Sequence, residues 1–227
     1  MKRYVLLSSL PLLVALSVSA QGPTTRMPDM PTEFKIPPVG SWSQYRSINS
    51  EEGDTTILKY SLTGKEKFGK IDCYWYEFQT AEGEKISVVK MLISGDPDEP
   101  GNLKRLVLKS GDEPAVEIPI GMTHGIGVAA SGTGEPEETE AISEEDVVTV
   151  GRETLTTDAG KINCTHFRMK KQEKQIDFWT SESIPFFGIA RLVHSGLTME
   201  ITGYGESGAK TAIAEKPKEM PKPGIGR

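Results

Sequence analysis

The sequence predicts an antiparallel all-β protein in which two similar meanders form one curved sheet, or open half-barrel, with little helix. Three observations predict it. Runs of β-branched and aromatic residues alternate with turn signals at a spacing of about ten residues. Beyond the N-terminal segment, no window sustains a 3.6-residue apolar period. Two blocks, 41–118 and 147–213, repeat the same short strings in the same order.

The chain opens with Met1-Lys2-Arg3, an apolar run over 4–18, and Ser19-Ala20-Gln21. A basic start, an apolar stretch and small residues at Val18 and Ala20 are the marks of a secretory signal peptide cut after Ala20. The run is short for a bilayer span and Pro11 interrupts it. No cysteine follows it to carry a lipid anchor. The expectation is a protein that works in the periplasm or is secreted. No later stretch approaches the ~18 apolar residues of a spanning helix, so a membrane span is not expected. The net charge is −6 with no basic cluster, which repels phosphate backbones and argues against nucleic acid as a partner. Hydrophobic residues make up 37% of the chain and aromatic residues 7%, enough for a core but not a rich one.

Residues 21–40 form a leader with Pro23, Pro28, Pro31, Pro37 and Pro38, too proline-rich for regular structure. Block one then reads as strands over 55–62, 71–79, 86–93, 103–109 and 115–118. A linker over 119–146 is Gly-rich and then acidic, and its like charges favour exposed chain. Its carboxylates lack the spacing of a calcium loop. Block two reads as strands over 147–156, 162–169, 175–180, 188–194 and 198–204. The tail, 214–227, carries Pro217, Pro221 and Pro223 among lysines and is expected to be disordered.

The repeat is legible residue by residue. Gly64-Lys65-Glu66 and Gly69-Lys70-Ile71-Asp72-Cys73 match Gly151-Arg152-Glu153 and Gly160-Lys161-Ile162-Asn163-Cys164. Arg105-Leu106-Val107 matches Arg191-Leu192-Val193, and Glu117-Ile118 matches Glu200-Ile201. The copies fall out of step mainly at turns, where length changes leave strand faces unaltered.

Cys73 and Cys164 are the only cysteines and occupy matching positions. Export permits a disulfide between them. In one continuous sheet they would stand about five strands apart, roughly 24 Å, whereas a bridge needs Cα atoms within about 7 Å. Either the second block folds back onto the first and the pair is bridged, or both are buried thiols.

Catalytic signatures are weak. His124, His166 and His194 have no cysteine pair at short spacing to complete a zinc site, and Met122 with His124 is too few ligands for copper. Gly203-Tyr204-Gly205-Glu206-Ser207-Gly208 matches a dinucleotide fingerprint in letters only, because no helix follows and Ala209 stands where a P-loop needs lysine. Asp96, Asp98 and Glu99 lie in a Pro-rich loop that the second block lacks, which favours solvent exposure. No catalytic residue, metal or cofactor is predicted, and an enzyme is not expected.

The aromatic residues carry the one candidate site. Tyr74, Tyr76 and Phe78 alternate on one face of a strand, Cys73 and Trp75 lie on the other, and the following strand is apolar on both faces, through Val88, Val89, Met91 and Leu92. Such a sheet is either a sandwich core or a curved surface whose concave side takes an apolar ligand. For the ligand reading the candidate contacts are Trp75, Tyr76, Met91, Phe178 and Trp179. The expected function is therefore a non-catalytic binding protein of the cell envelope with an apolar or lipid-like ligand. The alternative is a structural or protein-interaction module with a closed core and an envelope protein as partner.

The strings Asp177-Phe178-Trp179-Thr180-Ser181-Glu182-Ser183-Ile184-Pro185, Thr156 to Cys164 and Met199-Glu200-Ile201-Thr202-Gly203-Tyr204-Gly205 resemble uncharacterised exported β-sheet proteins, distantly similar to the periplasmic lipoprotein-carrier superfamily. The likeness covers about 150–205. It implies a half-barrel that binds acyl chains on its concave side, where helices act as a plug. The present sequence has no amphipathic helix for that role.

Overall fold

The computed structural model describes residues 35–51, 53–95, 101–120, 147–171 and 174–219. The signal segment, most of the leader, the Gly-rich and acidic 121–146, the loop with Asp96, Asp98 and Glu99, and His124 lie outside the described residues. So do residues 220–227.

Twelve strands run through the described residues: β1 (Trp42–Asn49), β2 (Thr55–Phe68), β3 (Ile71–Glu82), β4 (Lys85–Ile93), β5 (Leu103–Ser110), β6 (Val116–Ile118), β7 (Val147–Thr157), β8 (Gly160–Lys171), β9 (Lys174–Thr180), β10 (Ile189–His194), β11 (Leu197–Gly205) and β12 (Lys218–Glu219). They form one sheet in the order β12-β6-β5-β4-β3-β2-β1-β11-β10-β9-β8-β7. All neighbours are antiparallel except β12, which runs parallel to β6. The ten expected strands are β2 to β11, several with longer ends.

The sequence reading missed the strand at the centre. β1 pairs with β2 on one side and β11 on the other, and so joins the meanders into one sheet. Its buried positions are Ser43, Tyr45 and Ser47. Serines at core positions hide the alternation that marks a half-buried strand.

The sheet is curved and does not close, as an open half-barrel. Register shifts at Gln44/Tyr45, Leu62/Gly64, Leu92/Ile93, Thr149/Gly151 and Ile189/Arg191 add twist along it. Tyr45 and Leu58 of the central strands share a buried cluster with Leu155, Ile162 and Cys164 of the far hairpin β7–β8. Ile184, Ala190 and Ile201 complete it. Only a sheet that turns back on itself brings those strands together. An ion pair, Arg46–Asp158 at 2.8 Å, ties the β7–β8 turn to β1.

The bridged alternative for the cysteines does not hold. Cys73 and Cys164 are both free, buried thiols. They lie on β3 and β8, which stand six positions apart in the strand order, ~29 Å along a flat sheet. The fold-back packs the second hairpin on β1 and β2 and leaves Cys73 outside that cluster.

The tail also departs from expectation. After β11 the chain crosses the face of β3 to β5 as a strap. Ala209 N–H donates to Gly40 O at 2.8 Å. Ile213 is buried with Val88, Val107 and Ala115, Lys109 pairs with Glu215 at 2.5 Å, and β12 pairs with β6. The Glu77 carboxylate is 4% exposed and accepts from Ala212 N–H at 2.8 Å, from Lys90 Nζ at 3.0 Å and from the Thr211 hydroxyl. Residues 214–219 are therefore ordered by pairing partners that the local sequence does not reveal.

Candidate functional site

One face of β2, β3 and β4 is aromatic. Strand alternation sets Tyr74, Tyr76 and Phe78 on the same side of β3. Antiparallel register places Tyr60 opposite Phe78 and Met91 opposite Tyr76. The Tyr60 and Phe78 rings are 4.8 Å apart, and Tyr45 meets Tyr60 edge-on at 6.1 Å. Burial pushes the Tyr60 phenol up to about 12 and the Tyr45 phenol further, so both are neutral at any physiological pH. The centre of the face is aromatic, and at its edge Lys65 Nζ lies over the Tyr74 ring at 5.4 Å.

This surface is covered by a loop from the other half of the chain, residues 181–188 between β9 and β10. Phe187 meets Tyr60 edge-on at 5.0 Å, and Phe186 stands 6.3 Å from Tyr60 and 6.5 Å from Tyr76. Phe186 also packs against the buried cluster of Leu62, Tyr76 and Ile93. Ser181 N–H donates to Gly188 O at 2.7 Å and Ile184 N–H to Ser181 O at 3.2 Å, closing the loop on itself. Phe186 has φ 68, in the left-handed region that a bulky residue adopts only when its surroundings hold it there. Phe187 remains 51% exposed.

A polar cluster lies on the opposite face of β3 to β5, and a matching one lies in the second half of the chain. Trp75 Nε1–H donates to Glu66 at 2.8 Å, and Lys90 and Arg105 lie over its ring, each at 5.1 Å. Arg105 makes a two-pronged pair with Glu117, both bonds 2.8 Å. In the second half, Trp179 Nε1–H donates to Glu153 at 2.5 Å, Arg191 lies over the ring at 5.8 Å, and Arg191 pairs with Glu200 at 2.7 Å. Glu66, Arg105 and Glu117 are the counterparts of Glu153, Arg191 and Glu200 in the repeated strings. The tryptophans are not counterparts: Trp75 corresponds to His166, which stacks on Trp179 at 4.2 Å. Each half thus sets an indole between a carboxylate and a guanidinium by a different strand. The Arg105 guanidinium holds the Glu117 carboxyl below its ordinary range.

His166 Nε2 lies 2.7 Å from Asp177 Oδ1 and Nδ1 lies 3.5 Å from Glu153. Burial works against the Asp177 carboxylate, but hydrogen bonds from Gln175, His166 and Arg168 outweigh it and hold the group below its usual range. Burial pushes the nearby Cys164 thiol up, and the Glu153 charge adds to this, so the sulfur is a poor nucleophile. His194 stands apart, at the end of β10. Among the described residues no three acidic, histidine or cysteine side chains are grouped to hold a metal.

The five residues predicted to contact a ligand do not converge. Tyr76 and Met91 are cross-strand partners on the aromatic face. Trp75 points to the opposite face and is engaged by Glu66, Lys90 and Arg105. Phe178 stacks on Phe167 at 5.4 Å, and Trp179 faces the other way, against His166. Adjacent residues on a strand cannot share a face. The sequence reading missed Tyr60, Phe186 and Phe187. Tyr60 stands in an expected strand, but the phenylalanines reach it only through long-range curvature.

The glycine-rich string at 203–208 has a packing role instead of a phosphate. A Cβ on Gly203 would lie 3.0 Å from the Trp42 ring, and one on Gly205 would lie 3.0 Å from Trp42 Nε1. The two glycines clear a bed for this indole, which donates to Ser207 O at 3.2 Å.

No family model matches the chain, and no curated protein matches it. Among solved structures, it is similar to an inferred exported protein with a YmcC-like fold from Bacteroides fragilis NCTC 9343. That likeness has 11% identity and a TM-score of 0.36, and covers 76% of this chain and 99% of that one. It is also similar to an inferred lipoprotein from Parabacteroides distasonis ATCC 8503, with 9% identity and a TM-score of 0.34, covering 74% and 95% of the two chains. Among the described residues no helix is long and apolar enough to cross a membrane.

Proposed function

We propose that this is an exported, non-catalytic binding protein of the cell envelope, and that an apolar ligand is held on the aromatic face of β2 to β4 under the loop 181–188. One observation carries the reading. The cover over Tyr60, Tyr76, Phe78 and Met91 is a loop, with one of its two phenylalanines half exposed and the other in a strained backbone. A cover of that kind can open at lower cost than a paired strand. The N-terminal signal supports the location. The recurrence of the Glu66, Arg105 and Glu117 arrangement as Glu153, Arg191 and Glu200 supports an internal duplication, and the distant resemblance of 150–205 to the lipoprotein-carrier superfamily is compatible with acyl chains as ligand. In this reading the ligand contacts move from the five residues named from sequence to Tyr60, Tyr76, Phe78 and Met91, with Phe186 and Phe187 as the cover.

The test is titration of delipidated protein with a fluorescent fatty acid. Saturable uptake is expected, with Phe78→Ser weakening it at least tenfold. No uptake would remove the reading. It would leave the interaction module, which the packing of Phe186 into the Leu62, Tyr76 and Ile93 cluster favours.

A further inference from the structure

The β2–β3 hairpin reaches beyond its neighbours. β1 pairs with β2 only as far as Ser61, and β4 pairs with β3 only from Tyr74. The two-stranded ladder continues past both of these pairings to the cross-strand pair Phe68 and Ile71. The tip therefore extends roughly 10 Å beyond the last rung of the β3–β4 ladder at ~3.3 Å per residue. At its end Phe68 is 47% exposed and Ile71 is 51% exposed.

The second copy of this hairpin shows that the exposure is particular to the first. Gly69-Lys70-Ile71 corresponds to Gly160-Lys161-Ile162, and Ile162 is 3% exposed, within the main buried cluster. Phe68 corresponds to Ala159. One tip is small and turned into the core, and the other is large, apolar and turned out.

Charge sorts along the projecting hairpin. In sequence its lysines alternate with acidic residues, which hides any basic character. In the fold Asp72 is engaged by Lys65 at 3.1 Å, and Glu66 faces Trp75 and Arg105, with Arg105 at 3.5 Å. Lys67 stands across the ladder from Asp72, on the face opposite the Phe68–Ile71 pair, and Lys70 lies in the turn between Phe68 and Ile71, so the tip carries three lysines, with Lys65, against Glu66 and Asp72. The two apolar residues fall far short of the ~1,000 Å² that a stable protein interface buries. They do suit a bilayer interface, where apolar side chains enter to ~5–10 Å and lysine stems reach the headgroups.

We propose that the β2–β3 hairpin tip, Phe68 and Ile71 flanked by Lys67 and Lys70, is a docking point for an anionic phospholipid surface. It stands independently of any ligand on the aromatic face. Binding is weak and reversible, because one tip supplies few contacts, and it depends on salt, because the lysines act through screened attraction.

Co-sedimentation of the processed full-length protein with vesicles tests it. Vesicles of phosphatidylcholine with about a third phosphatidylglycerol, chosen to supply the negative surface potential, are expected to carry down wild type, and pure phosphatidylcholine vesicles much less. Phe68→Ser with Ile71→Ser is expected to lower the partition coefficient at least tenfold, and Lys67→Glu with Lys70→Glu to abolish the preference for anionic lipid. These positions are solvent-exposed, and an unchanged circular dichroism spectrum checks that each variant folds. Equal sedimentation of wild type and both variants, or none by wild type, overturns the proposal.

Discussion

Single side chains decide whether the ladder of β1 against β11 can form. Trp42 lies flat on Gly203 and Gly205, and neither glycine needs an unusual φ; what they supply is space. Gly203→Ala puts a methyl group 3.0 Å from the indole, and is expected to cost ~1–3 kcal/mol as an overpacked contact. Urea unfolding followed by fluorescence measures it. If the clash is the cause, Trp42→Leu relieves it, and the double variant loses less than the two single losses together. Additive losses would show that the glycine acts through chain entropy. In the sequence the pair Gly203 and Gly205 was visible, but its partner stands more than 150 positions away in the chain, and nothing local pointed to Trp42.

The strap shows how an element can be held by contacts that its own composition conceals. Residues 206–219 contain glycine, lysine and proline and few large apolar groups, and from 214 onward the sequence reads as a free tail. Their anchors are Ile213, 5% exposed between Val88 and Val107, and the Glu77 carboxylate that gathers Ala212 N–H, Thr211 and Lys90. A buried carboxylate stripped of those donors would be an uncompensated charge, so the strap and Glu77 stabilise each other. Ile213→Ala is expected to cost ~2–4 kcal/mol. Lys218→Ala, on the exposed β12, is expected to stay within ~0.5 kcal/mol. Equal effects would mean that the strap is not fixed at Ile213. The same comparison explains what was legible among the strands. β2 to β11 each carry their own β-branched or aromatic alternation, whereas β1 buries serines and β12 has two residues. The aromatic face was half legible: Tyr76 and Met91 were named, but the phenylalanines that cover them come from another part of the chain.

Across the whole molecule, the order of strands makes the two meanders interdependent. Each is a local antiparallel ladder, and along the sheet neither is paired with the other, because β1 lies between β2 and β11. Tyr45 is the residue through which both are felt. It is 1% exposed, touches Tyr60 of the first meander, and shares a buried cluster with Ile201 and Leu155 of the second. Trp75 and Trp179 sit one in each half, so variants in which Trp42 and one of these two are replaced report on the halves separately. If the sheet is one cooperative unit, their urea curves coincide. Tyr45→Ala should then move both midpoints down together, by the ~3–5 kcal/mol of a large buried ring divided by the common slope. Two separated transitions, with Tyr45→Ala shifting one alone, would mean that the halves are autonomous domains and that β1 belongs to only one of them. The pairing of Trp42 with Gly205 and the shared cluster of Leu58 with Ile162 favour the single transition. Closing contacts so distant in sequence carries a large entropic cost that is recovered only when both halves are in place.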